Sequence, residues 1–369
     1  MECEFYMSKK ERHLFPGSNT SQGFYSFFQY IIPANEARRI FYIKGGPGTG
    51  KSSLMKKISK IFLDNGHTIE FFHCSSDNES LDAIAIKDLG IALIDGTAPH
   101  INDPSVPGAL DEILNLGVFL NERQLSKEKN SIIETYSAIK DNFNRAYAYI
   151  NSAKSIHDNW SYYNKKALDV RALNSLNEEL KKEIFKSDEI GLGKERHLFA
   201  TAFTPNGIVS YIDTLYEGFQ HIYTLKGEPG TGKTSLLTFL KDEALRRGYS
   251  IEIFHDPLIP SRIEHLIIPD LNTAILTSNE INNSESIGKE INMDCLLNTR
   301  YINSVQDEIE ENKDNFYKLL NIGLKNLSKC KKLHDKLEKY YVDNIDFNGI
   351  DILSEKLIER LLVYEKESL

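Results

Sequence analysis

The chain has 369 residues, enough for two or three domains of ordinary size. Hydrophobic residues make up 41% and charged residues 26%, which excludes disordered and fibrous classes. A formal charge of −9 argues against a bulk nucleic-acid binder, and four scattered cysteines without C-x-x-C spacing suggest neither a disulfide framework nor a structural zinc.

In chain order, the start (MECEFYMSKKERH) has no apolar core of a signal peptide, and no run reaches membrane-spanning length. A cytoplasmic location is expected. An aromatic-rich leading segment, GFYSFFQYII (23–32), precedes a short apolar strand, IFYIKG (40–45). The strand runs into the glycine-rich stretch KGGPGTGKSS (44–53). KSSLMKKISKIFLDNG (51–66) then carries apolar residues three and four apart and ends in glycine, which predicts a helix with its stop signal. TIEFFHCS (68–75) and GIALID (90–95) read as a second and third strand. From about 109 to 187, Glu, Lys, Asn and Leu at helical spacing predict a helical appendage, either packed back on the sheet or projecting to a partner.

The same plan then returns. KGEPGTGKTS (226–235) repeats the glycine-rich stretch, with Lys233 standing 182 positions after Lys51. KKERHLF (9–15) returns as GKERHLF (193–199), GHTIEFFH (66–73) as GYSIEIFH (248–255), and IHD (156–158) lines up with LHD (333–335). A whole unit has been duplicated. The seam falls near SDEIGLGKE, giving units 1–188 and 189–369, the second with its own helical extension at about 290–367. Strand, helix, strand at these lengths predicts an α/β fold in which each unit has a parallel sheet with crossover helices.

The pattern G-x-x-x-x-G-K-[ST] fits Gly45 to Ser52 and Gly227 to Thr234. Glycines open backbone conformations closed to other residues, so several N–H groups converge; with the positive end of the next helix they form a cradle for a polyphosphate. The candidate binding residues are Gly45, Gly46, Pro47, Gly48, Thr49, Gly50, Lys51, Ser52 and Ser53 in the first copy. In the second they are Gly227, Glu228, Pro229, Gly230, Thr231, Gly232, Lys233, Thr234 and Ser235. Each lysine reaches the outer phosphates, and the hydroxyls of Ser52 and Thr234 suit Mg²⁺. These stretches resemble the Walker A motif of P-loop NTPases, especially the AAA and RecA-like branches. Over its length the chain also resembles a bacterial family of tandem P-loop ATPases. The resemblance implies two tandem P-loop NTPase domains that bind a nucleoside triphosphate with Mg²⁺, and the lack of an NKxD-type guanine signature favours ATP.

The two copies differ in their acids. Asp95 closes an apolar strand in the first and resembles a Walker B aspartate, a metal-binding and catalytic candidate beside Lys51; the alternative is a strand-ending turn residue. Its counterpart is Thr277. Asp256 and Asp270 are possible substitutes, although Asp270 has an equivalent in Asp88. Asp77 and Glu79, whose counterparts are Ile259 and Ser261, are candidates for positioning the attacking water at the C-terminal edge of the sheet; a solvated acidic loop is the other reading. AAA proteins usually carry a glutamate after the Walker B aspartate, where this chain has Gly96. Thr97 and His100 are candidate γ-phosphate sensors or parts of a rigid turn. Arg12 and Arg196 read either as arginine fingers or as salt-bridge partners, and His73 and His255 as structural strand-end residues, with a metal or catalytic role as the alternative. Phe24, Tyr25, Phe27 and Phe28 read as core packing or as an adenine pocket. The expectation is an ATPase in which the first unit hydrolyses and the second binds or regulates, with the helical extensions open to a protein client and oligomerisation possible. A nucleotide-gated scaffold and a small-molecule kinase are the alternatives.

Overall fold

A computed structural model describes residues 11–97, 103–187 and 190–368. The first half opens with β1 (Glu11–Leu14) and the hairpin β2 (Gly17–Thr20) and β3 (Gly23–Ser26). β4 (Arg39–Lys44) leads through the glycine loop into α1 (Lys51–Asp64). Leu54, Met55, Ile58 and Phe62 form the buried stripe of α1, at the spacing that puts them on one face. The sheet continues with β5 (Ile69–Cys74), β6 (Asp77–Ile86), β7 (Ile91–Asp95) and β8 (Asp111–Asn115). α2 (Glu122–Leu125), α3 (Lys129–Ala167) and α4 (Val170–Ile184) complete the half.

The second half repeats the order. Its strands are β9 (Glu195–Leu198), β10 (Thr201–Thr204), β11 (Gly207–Ser210), β12 (His221–Lys226), β13 (Ile251–His255), β14 (Ile263–Ile268), β15 (Thr273–Ser278) and β16 (Lys289–Asn292). α5 (Lys233–Arg246) follows the second glycine loop, and α6 (Thr299–Ser304), α7 (Gln306–Val342) and α8 (Phe347–Lys366) end the chain.

The fold is mixed α/β, and two expectations need correction. The sheets are not wholly parallel. Their order is β1-β5-β6-β7-β4-β8 in the first half and β16-β12-β15-β14-β13-β9 in the second. β6 pairs antiparallel with both β5 and β7, and β14 does the same between β13 and β15. Residues 81–86 (LDAIAI) are buried on both faces, so they lack the alternation that marks a strand, while the left-handed Gly90 (φ +64°) turns the chain back into β7. The helical extensions also start later than 109 and 290. β8 and β16 first add a parallel edge to the strand that carries each glycine loop.

The halves are interlocked. β2 and β3 join β10 and β11 in one four-stranded sheet, and Phe15 and Phe199 exchange backbone hydrogen bonds of 2.9 and 3.0 Å. α3 and α7 run antiparallel, as the contacts Ile139–Cys330, Ile150–Gly323 and Asn159–Asn312 require. Their seam buries Ile150, Trp160, Phe316 and Leu327. The last helix of each half crosses over. Leu173, Leu180 and Ile184 of α4 join the core of the second half with Leu237 and Leu240 of α5, and Leu357 and Leu361 of α8 join that of the first half with Ile58 and Phe62. The last helix of each extension therefore packs against the sheet core of the other half, while α3 and α7 pack on each other.

Candidate functional site

Both glycine loops lie at the C-terminal end of the strand next to a sheet edge and open onto a helix. In the first, Gly50 is the N-cap of α1 at φ +84°, a conformation that favours glycine, and no side chain caps the helix. The first N–H groups of α1 are thus left to an outside acceptor such as a phosphate. Thr49 Oγ1 donates to the Gly46 carbonyl at 2.9 Å and braces the loop. Lys51 Nζ donates to the carbonyls of Gly46 (2.8 Å) and Gly45 (3.3 Å) and lies 3.5 Å from Asp95 Oδ2. β4 and β7 are direct neighbours with Ile43 opposite Asp95, which is why the strand-ending aspartate meets the loop lysine. Asp95 Oδ1 accepts the Thr97 N–H at 2.8 Å, and Ser52 Oγ accepts the Leu81 N–H at 3.1 Å. Lys51 and Asp95 thus lie side by side, and Ser52 follows Lys51 on the first turn of α1.

Asp77 and Glu79 lie at the start of β6, beside the C-terminal end of β5. Asp77 begins β6, paired opposite Cys74, and its carboxylate is held by Lys331 of α7 at 3.1 Å and by the Ser80 hydroxyl at 2.8 Å. Glu79 is exposed, and its carbonyl accepts from Lys56 at 2.6 Å. Ser53 and Ser235 are also exposed, on the first turns of their helices.

The second loop is built alike. Gly232 caps α5 at φ +98°, Thr231 Oγ1 donates to the Glu228 carbonyl at 2.8 Å, and Lys233 Nζ donates to the carbonyls of Gly227 and Glu228. Thr234 is the second residue of α5, half-buried, at the position of Ser52. Opposite Leu225, where the first half has Asp95, Thr277 is buried and its N–H donates to His265 Nδ1 at 3.0 Å. The second loop nevertheless has carboxylates around it. Asp294 Oδ1 accepts the Glu228 N–H at 2.9 Å, and Lys313 pairs with the Glu228 side chain at 3.0 Å. Burial pulls the Lys233 ammonium below its ordinary pKa, and the charges of Glu280, Asp294, Glu228 and Asp256 oppose that only in part.

Glu280, two residues beyond β15, is the acid that sequence reasoning passed over. Burial pushes its carboxyl up, but His157 Nε2 at 2.5 Å outweighs this and holds it down at about 2. His157 belongs to α3 of the first half, so no local pattern around residue 280 announces the pair. Asp256 goes the other way: burial, then the charges of Glu264 and Glu280, push it up to about 6. Its Oδ1 accepts the Leu258 and Ile259 N–H groups and so organises the turn after β13. Asp270 caps the Ser250 N–H as Asp88 caps Thr68, a structural role in both halves.

A carboxyl whose pKa rises on folding destabilises the fold as pH climbs from its unfolded value through its folded one. Asp256→Asn keeps the oxygen acceptor and is expected to stabilise the protein at pH 8 by up to roughly 3 kcal/mol, with little effect at pH 4. Thermal melts across pH check this; an equal shift at both pH values would contradict it.

The other candidates resolve as packing. Arg12 donates to Glu70 (3.1 Å) and Glu252 (2.7 Å), and Arg196 to Glu70 (2.7 Å) and Glu252 (3.0 Å). This ring of four charges ties the halves together, so in this structure neither arginine is a finger aimed at a glycine loop. His73 shares a 2.8 Å hydrogen bond with His13, and His255 one with His197; burial lowers both His73 and His255 to about 4. Phe27 and Phe28 are buried, Phe24 packs against the core, and Tyr25 lies beside Phe27. Asp103 pairs with Lys44 at 2.8 Å, and His100 lies outside the described residues.

Helices of the opposite half touch both loops. A Cβ at Gly46 would lie 2.7 Å from the Tyr341 ring, and one at Gly48 2.7 Å from Val342 at the end of α7. At the second loop Asn164 Nδ2 of α3 donates to the Pro229 carbonyl at 2.8 Å, and the Ser161 backbone abuts Gly230. Among the described residues no helix is long and apolar enough to cross a membrane.

The family model described as Nephrocystin 3, N-terminal, matches residues 25–151, roughly a third of the chain. The match takes in the first glycine loop, Asp95 and the first part of α3. No curated protein and no solved structure matches the chain.

Proposed function

We propose that the chain is a Mg²⁺-dependent ATP-binding protein with two P-loops, hydrolysing ATP at the first and holding a regulatory nucleotide at the second. The observation that carries this reading is the meeting of Lys51 and Asp95 at an uncapped helix N-terminus whose first turn carries Ser52. The backbone amides of residues 48–53 grip the phosphates, and Lys51 leaves its two loop carbonyls to meet the outer ones. Ser52 and Asp95 are of the right chemistry for Mg²⁺, two hard oxygen donors at the loop's mouth. When bound, the ion neutralises phosphate charge. Asp77 and Glu79 lie a few residues before the Ser52 contact at Leu81, and they are the candidates for orienting the attacking water.

The helical extensions suit a role as output. Each glycine loop touches a helix of the opposite half, so nucleotide at one site bears on the posture of the other half's hairpin. That same observation supports the second reading, a nucleotide-gated scaffold for a protein client. Phosphate release decides between them and the kinase alternative. With Mg²⁺ and ATP alone, free phosphate is expected in step with ADP. Binding without release would favour the scaffold, and ADP formed only when an acceptor is added would favour a kinase.

A further inference from the structure

The two halves carry an acid at different places. Asp95 is replaced by Thr277, whereas Glu280 has Ala98 as its counterpart. Glu280 follows β15, the strand paired directly with the loop-bearing β12, with Lys226 opposite Ser278. The turn that carries it is fastened. Asn279 Oδ1 accepts the Ile281 and Asn282 N–H groups, Asn282 Nδ2 donates to the Thr277 carbonyl at 3.0 Å, and Tyr317 Oη donates to the Glu280 carbonyl at 3.1 Å.

The Glu280 side chain is 9% exposed, and only one of its oxygens is engaged. Oε1 meets His157, which is itself 1% exposed, while Oε2 is buried without a hydrogen-bond partner. An orphaned buried carboxylate oxygen costs free energy unless something binds it. The helix that delivers His157 is docked on the glycine loop itself. His157, Ser161 and Asn164 lie on one face of α3, at spacings of four and three, and meet Glu280, Gly230 and the Pro229 carbonyl respectively. Glu280 and the loop are thus addressed by adjacent turns of one helix, and the charge of Glu280 acts on the Lys233 ammonium.

We propose that Glu280 supplies the second P-loop with its cation-side carboxylate, taking the part played by Asp95 in the first, and that His157 positions it from the opposite half. The ligand class is a nucleoside triphosphate carrying a divalent cation, which Mg²⁺ sites of this kind bind through one or two carboxylates plus substrate phosphates. His157 is a positioning residue of the kind whose loss weakens a metal site about 10–100-fold. The second site is therefore composite, finished by a helix from the first half. This inference rests on reading the second loop as a nucleotide site and adds how its cation is held.

The test uses the full chain with Lys51→Ala to silence the first loop, titrated by calorimetry with the imido analogue of ATP, with Mg²⁺ and then with EDTA. Mg²⁺ is expected to tighten binding at least about tenfold. Adding Glu280→Gln should remove most of that gain and leave the EDTA value unchanged, and His157→Gln should remove part of it. Melting curves check that each variant is folded, and His157→Gln serves if Glu280→Gln is not. A Mg²⁺ gain that survives both substitutions overturns the proposal while leaving the nucleotide reading intact. If the folded Lys51→Ala protein takes up no nucleotide at all, the reading of the second loop fails, and this proposal with it.

Discussion

Lys51→Ala is expected to abolish ATP turnover, lowering kcat by about 10²–10³-fold, while Lys233→Ala leaves more than about half of it. The Lys51 ammonium lies 3.5 Å from Asp95 and donates to two loop carbonyls, so its removal strips the first cradle of the cation that its motif supplies. Such a charge matters most in the transition state, when negative charge spreads over the transferred phosphoryl group. Lys233 holds the same geometry, but burial depresses its basicity and Thr277 stands where the first site has its aspartate. Its loss should weaken nucleotide binding at the second loop more than overall turnover. Single-turnover and steady-state phosphate release, paired with nucleotide binding, separate the two effects. Equal loss from the two substitutions would contradict the division of labour.

Arg196→Ala is expected to destabilise the protein by about 3–5 kcal/mol, the cost of stranding buried carboxylates. Arg196 donates to Glu70, Glu252 and the carbonyls of Tyr30 and Ile31, and Glu70 is 1% exposed. Burial by itself would raise both glutamates. The two guanidiniums outweigh it and hold both below the ordinary 4.5, while the glutamates in turn raise Arg12 and Arg196 despite their burial. A carboxylate depressed in this way contributes stability that is fully present above its unfolded pKa and lost as pH falls through the folded one. The wild-type network therefore persists below pH 4.5, and denaturant melts of Arg196→Ala should show its deficit shrinking as the stranded acids are protonated. Glu70→Gln combined with Arg196→Met should cost less than the two single changes together, because no buried charge is left unpaired on that side. Additive costs would show that the four charges do not act as a unit. Because the ring joins β1 and β5 of one half to β9 and β13 of the other, its loss is also expected to loosen the junction between halves.

Much of this arrangement was legible in the sequence, because it is local. The duplication shows in the 182-residue offset, each glycine loop declares its own backbone conformation, and the stripe of Leu54, Ile58 and Phe62 announces α1 by its period. Asp95 could be matched to Lys51 because an apolar strand ending in an acid needs only one neighbour to make the site. Two things were not local. Residues 81–86 of β6 are buried on both faces, so this run carries no period that distinguishes strand from helix. The exchange of α4 and α8 depends on which sheet an amphipathic face covers, and periodicity states that a face is apolar without naming its partner. Only the tertiary structure decided that, and with it the meeting of His157 with Glu280 across 123 residues of chain, because such a contact is made by how two halves pack and by no pattern within either.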